Sequence, residues 1–236
     1  MQKELNSTDE EKEVQKELNY TLDKKKQDII KLKECAKTYK EKLLGKRFLV
    51  VFDNLNYIEV IFTKKQFKHL TGISSDLSAV AFYDFCIGKK WQNNRTVYIS
   101  PKDIYTTIEH PRVFAIKKME VFSLIRDLFE KSSYVLTEIS ENKRFYKMGL
   151  ANIQLTILLD DYDDDAKKTY IAISLKSESH IKNAKQFDKI EYVFEKTNPY
   201  LKYEKMLYPK RIDITSLNKA EHKLNHLIDF SNFAIK

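Results

Sequence analysis

Glycine and proline are scarce, four of each in 236 residues, alongside two cysteines and a single tryptophan. None of the glycines builds a Gly-rich phosphate loop, and no strand–helix alternation surrounds them, which argues against a nucleotide-cofactor enzyme. Cys35 and Cys86 belong to neither a C-x-x-C pair nor a Cys/His cluster. That argues against a disulfide framework and a zinc site, and fits a reducing compartment. No stretch approaches the roughly 18 apolar residues of a membrane-crossing helix. The opening residues, MQKELNSTDEEKEVQKE, show no apolar signal region. The expected location is therefore the cytoplasm, with no membrane partner. G-x-S-x-G, H-E-x-x-H and internal repeats are also absent.

What is present describes a folded, moderately basic chain. Hydrophobic residues make up 42% and aromatics 12%, enough for a core, and Lys plus Arg exceed Asp plus Glu by 42 to 34. That excess favours an acidic partner such as nucleic acid without requiring one. Residues 1–44 lack Gly, Pro and Phe, and apolar or neutral residues recur there in steps of four and three: Leu18, Leu22, Ile29, Leu32, Ala36, Tyr39 and Leu43. The spacing predicts a long charged helix, stopped at Gly45 and laid against another helix. The helix packs on its own domain, pairs in a coiled coil with a second copy, or takes up a partner.

The domain from 45 to 236 is expected to be α+β. RFLVVF and YIEVIFT flank the turn-rich DNLN and read as a β-hairpin. A helical middle follows: a short helix around His69, another at 76–88, one capped by Ser100 and broken at His110–Pro111, and a long one placing Val113, Ile116, Val121, Leu124, Ile125 and Leu128 on one face. Then the period becomes two, in SYVLTEIS, ANIQLTILLD, TYIAISLKS, IEYVFEKT and RIDITSL, which predicts a mainly antiparallel sheet. A charged helix, NKAEHKLNHLIDF, closes the chain.

Several residues are candidates for chemistry. His69 lies in KKQFKHLTGI with Lys65 and Lys68 beside it. Nearby lysines disfavour an imidazolium, and a neutral imidazole is a general base near neutral pH. The same ring would also serve simply to hold its turn. Lys89, Lys90 and Arg95 surround Trp91, and Lys210 and Arg211 follow Tyr208. Cations interleaved with aromatics suit single-stranded RNA, and a solvated lysine-rich loop is the plainer alternative. Ser174 and Lys176 share one face near a strand end, in SLKSESH, placed to touch phosphate or merely exposed. The aspartates of LLDDYDDDAKK lack the glycine and the closing glutamate of a calcium loop and read as a charged hairpin tip. His222 and His226 stand at i, i+4 without a third ligand, so no metal or cofactor is expected.

YIEVIFTKKQFKHLTGI, with Phe67, His69, Leu70 and Gly72 forming Phe-x-His-Leu-x-Gly, resembles the opening of a phage-associated nuclease family in the barnase–EndoU–colicin–RelE-like group, the fourth such phage family. The resemblance spans about 46–215. It implies an RNase-like fold, RNA as substrate, and metal-independent acid/base cleavage in the host cell. His69 would then be the base or a phosphate contact, with Lys65, Lys68, Lys90 and Arg95 as phosphate ligands and Ser174 and Lys176 in support. The departure is that no second catalytic group is evident in the C-terminal strands. Two alternatives stay open. One is a non-catalytic inhibitor or adaptor on the same fold, binding a host defence protein or nucleoprotein through residues 1–44, in the manner of an anti-defence protein. The other is an RNA-binding module without turnover.

Overall fold

A computed structural model describes residues 27–75, 77–88, 109–141, 143–162, 168–209 and 221–233. The first described element is helix α1, residues 27–42, followed by strands β1 (Arg47–Phe52) and β2 (Asn56–Ile61). Two short helices come next, α2 (Lys64–Thr71) and α3 (Ala79–Cys86). Helix α4 (Glu109–Val121) runs through a 3-10 turn, Phe122–Arg126, into α5 (Asp127–Glu130). Strands β3 (Tyr134–Glu141), β4 (Arg144–Ala151), β5 (Thr156–Asp161), β6 (Thr169–Lys176), β7 (Ala184–Lys196) and β8 (Lys205–Tyr208) complete the sheet. No described helix is long and apolar enough to cross a membrane.

The fold is α+β, and its sheet closes on itself. The strand order is β1-β2-β6-β5-β4-β3-β7, with β7 pairing back onto β1 and β8 added outside β7. Pairing is antiparallel everywhere except between β2 and β6. The expected hairpin is present, turned by Asp53, Asn54 and Leu55, all at positive φ. β1 lies between β2 and β7 and is buried on both faces, which accounts for its unbroken apolar run. Phe48 and Val50 join the main core, while Leu49 and Val51 pack with Tyr203, Leu224 and Ile228 of the C-terminal segment.

The main core gathers residues from all seven strands of the ring together with α1 to α5. Leu32, Ala36, Tyr39 and Leu43 of the N-terminal stripe are fully buried in it, so this length of the heptad pattern packs on the chain's own domain. Tyr39 packs edge-on or tilted against Phe62, Phe67, Tyr83 and Phe122, and its hydroxyl donates to the Thr63 carbonyl at 2.7 Å.

Four details differ from the expectation. β4 was expected to be turn, and its exposed Arg144, Phe145 and Lys147 hide the alternation. A Cβ at Gly149 would meet the Ile157 carbonyl oxygen at 2.9 Å, so glycine is what lets β5 lie this close. The predicted strand over 151–160 is split by Asn152, whose side-chain oxygen accepts the N–H groups of Gln154 and Leu155. Pro111 does not break a helix but lies near the described start of α4, where a missing N–H is tolerated. Finally, the buried face from α4 to α5 carries Ala115, Lys118, Met119, Phe122, Ile125, Arg126 and Phe129, whereas Ile116, Val121 and Leu124 are only partly buried. The apolar-only periodicity caught Ile125 and Leu128, both buried, but not the rest of this face, to which two cations belong.

Candidate functional site

Helix α2 is set by its ends. The Thr63 hydroxyl accepts the Lys65 N–H at 3.3 Å, and the Gln66 side chain accepts the Thr63 N–H at 2.8 Å, a reciprocal cap. At the other end Gly72, at φ 69°, turns left-handed and donates its N–H to the His69 carbonyl at 3.2 Å. Phe67 and Leu70 point into the core, and α2 packs on β6. His69 and Lys65 remain exposed on the outer side of the helix. Lys68 is engaged locally, its ammonium donating to the carbonyls of Ser75 and Leu77 at 2.5 and 2.7 Å.

Gly72 abuts Lys118 of α4. A Cβ at position 72 would stand 2.9 Å from the Lys118 Cδ and 3.4 Å from its Nζ. The motif glycine therefore does two things: it supplies the left-handed turn and it leaves room for a buried lysine. The Lys118 ammonium lies 3.5 Å from the Ser174 hydroxyl and 4.6 Å from the centre of the Phe114 ring. Lys176, two residues beyond Ser174 on β6, lies 5.5 Å from the same ring centre and is paired with Glu141 at 2.5 Å. His180 completes the group, its Nε2 standing 3.8 Å from Glu141 and 3.7 Å from Glu178. Thr156 fixes this corner by accepting the His180 N–H at 2.9 Å and donating to the Glu178 carbonyl at 3.1 Å.

The electrostatics of the corner are unusual. Lys118 and Lys176 keep only 5% and 9% of their surface exposed, yet Glu141 is the one largely buried carboxylate among their described neighbours. Burial, together with the positive charge of Lys176 and against the opposing pull of Glu141, pushes the Lys118 ammonium down to about 8. His180 is 4% exposed, and neither ring nitrogen has a hydrogen-bond partner among the described residues. Two buried cations against one anion form a ready site for an additional negative group.

A family model described as phage-Barnase-EndoU-ColicinE5/D-RelE like nuclease 4 matches residues 31–223. The chain is a member of that nuclease family. The match starts within α1, earlier than the span of the Phe-x-His-Leu-x-Gly resemblance, and covers every residue of the Lys118 corner. No curated protein and no solved structure matches the chain.

The residues singled out from sequence fall into three groups within this family fold. Ser174 and Lys176 sit together in the corner. His69 and Lys65 are exposed on α2, one and two helical turns before the glycine that touches Lys118, while Tyr208 is half-buried against the main core. Lys89, Lys90, Trp91, Arg95, Lys210 and Arg211 lie outside the described residues, as does the tip of the aspartate run. His222 and His226 are exposed, and no described group of His, Cys, Asp and Glu residues is arranged to hold a metal. Sequence reasoning missed Lys118, Glu141 and His180. The signal for Lys118 was its place between Ala115 and Phe122 on a face otherwise apolar.

Proposed function

We propose that this nuclease-family protein cleaves RNA, with the scissile phosphate held at the Lys118–Lys176 corner. The observation that carries the reading is the pair of buried ammoniums with a single largely buried carboxylate between them, because a phosphate supplies the missing negative charge. Cleavage follows from attack of a ribose 2′-oxygen on the adjacent phosphorus. A base removes the 2′-hydroxyl proton, the P–O5′ bond breaks, and the departing O5′ takes up a proton from the protonated base or from water, leaving a 2′,3′-cyclic phosphate and a 5′-hydroxyl. Lys118 and Lys176 stabilise the negative charge that builds on the non-bridging oxygens, and the Ser174 hydroxyl orients the same group. His69, exposed on the helix that ends at Gly72, is the candidate base; Glu141 keeps Lys176 in place and His180 backs Glu141. No step here calls for a metal ion.

The test is incubation of the purified protein with labelled RNA in EDTA, with product ends analysed. Cyclic-phosphate ends, loss of cutting at a linkage carrying 2′-deoxyribose, and a drop of about 100- to 1000-fold in Lys118→Ala or Lys176→Ala are expected. Intact RNA under all conditions, or equal cutting of DNA, overturns the reading. Unchanged rates in both lysine variants move the chemistry away from this corner, and an unchanged rate in His69→Ala removes His69 as the base.

A further inference from the structure

Phe114 is the remaining side chain that touches this corner, and nothing above gives it a role. It lies on α4 one turn before Lys118 and is 42% exposed, although both lysine ammoniums lie within 6 Å of its ring centre, at 4.6 and 5.5 Å. A lone exposed phenylalanine is ordinary. One that takes two buried ammoniums as cation–π partners, and still meets solvent, keeps ring surface that those contacts leave open. Its geometry matches the two halves of a nucleotide: cations for the phosphate, and an aromatic face beside them for the base.

We infer that Phe114 is the nucleobase platform of the site and that it selects RNA whose base next to the held phosphate is unpaired. The inference rests on the phosphate reading of the lysine pair and deepens it to a substrate class. Inside an A-form duplex each base has both faces covered by its stacked neighbours, so none is free for the ring. In a loop, bulge or single strand the base can leave its stack and lie on Phe114 while its phosphate sits on Lys118 and Lys176. Stacking does not depend on base identity, so the preference is for strandedness and not for sequence.

Binding is the readout, so that this inference and RNA cleavage can fail separately. The probe is a fluorescein-labelled single-stranded RNA hexamer with 2′-O-methyl riboses, which cannot be cut by 2′-oxygen attack. Its companions are the same hexamer made abasic and the same hexamer in a duplex. Full-length protein should bind the base-bearing single strand tightest. Phe114→Leu should weaken that complex about 5- to 100-fold, the usual range for one base–aromatic stack. Phe114→Tyr should stay within about 2-fold, and the abasic probe should bind wild type and Phe114→Leu alike. Equal binding of base-bearing and abasic probes by the wild type, or an equal loss on both in Phe114→Leu, overturns the platform, the second outcome meaning that the ring acts only on the lysines. If the platform pattern appears and ordinary RNA is still left intact, the inference stands and the cleavage reading falls. If no probe binds, both fall.

Discussion

An ammonium taken out of water is unfavourable wherever it goes, and Lys118 is held out of water by α4, β6 and the Gly72 turn. Two opposite pH effects follow. The folded protein releases the Lys118 proton near pH 8, below the value of about 10.4 in an unfolded chain. The unfolded state therefore binds more protons across that interval, and the contribution of this residue to stability rises as pH rises from about 8 to about 10.4. The charge that holds phosphate disappears over the same interval. RNA cleavage should fall above about pH 8 while thermal stability does not, and Lys118→Arg should carry the alkaline limit higher because a guanidinium stays charged. Parallel pH–rate profiles of the two proteins check this, and coincident alkaline limbs refute it. Lys118→Met should abolish cleavage and yet raise the melting temperature by about 2–8 °C, as when a buried charge gives way to an apolar side chain; a lower melting temperature in calorimetry would show that the lysine stabilises the fold. At Gly72, alanine meets both a left-handed backbone and the Lys118 stem, so Gly72→Ala should destabilise by about 1–2 kcal/mol and lose far more activity than that unfolding explains. Denaturant titration beside an RNA assay separates the two losses.

At the scale of elements, the reciprocal cap at Thr63 and the glycine at position 72 fix α2 at both ends. Thr63→Ala should cost about 1 kcal/mol in unfolding experiments, since the Lys65 N–H loses its acceptor while the Tyr39 bond to the residue-63 carbonyl survives. An effect within experimental error would mean that tertiary packing alone holds the helix. The elements that were hard to read share one physical cause, which is polar atoms placed where a pattern of apolar residues says nothing. β4 carries Arg144 and Lys147 on its exposed side, and Asn152 makes the turn that ends it. The α4 face hides Lys118 and Arg126 among Ala115, Phe122 and Phe129. Helix periodicity correctly predicted a helical segment there and the burial of Ile125 and Leu128, but left Lys118 and Arg126 off the inward side, because a cation counts as exposed until its partner is known.

Across the whole molecule, closure of the strand ring brings the ends of the chain's order together. Arg126, between α4 and α5, pairs with Glu195 of β7 and reaches the Lys42 carbonyl at the end of α1, while Lys205 of β8 stands 3.1 Å from the same glutamate. Burial alone would push the Glu195 carboxyl up; its bonds to Arg126 and Lys205, with Lys46 nearby, more than reverse this and hold it below the ordinary carboxylate value. A depressed carboxylate contributes stability that is complete above the unfolded value of about 4.3 and is lost as pH falls through the folded one. Glu195→Gln should destabilise by about 1–3 kcal/mol at neutral pH, because Arg126 loses its buried anion and keeps only the more exposed Glu130, and should flatten the acid side of the stability curve. An acid limb unchanged in urea titrations from pH 7 to pH 3 would place the acid sensitivity elsewhere. The sequence by itself determined the α+β class, the hairpin, the short helix with its Phe-x-His-Leu-x-Gly motif and the family that motif resembles, because turn chemistry and periodicity act between residues a few positions apart. Only the tertiary structure decided that the sheet closes, that Leu32, Ala36, Tyr39 and Leu43 pack inward, and that Lys118 and Glu141 meet the Ser174–His180 stretch in one corner. Those are meetings between residues far apart in the chain, and nothing local to any of them carries information about the others.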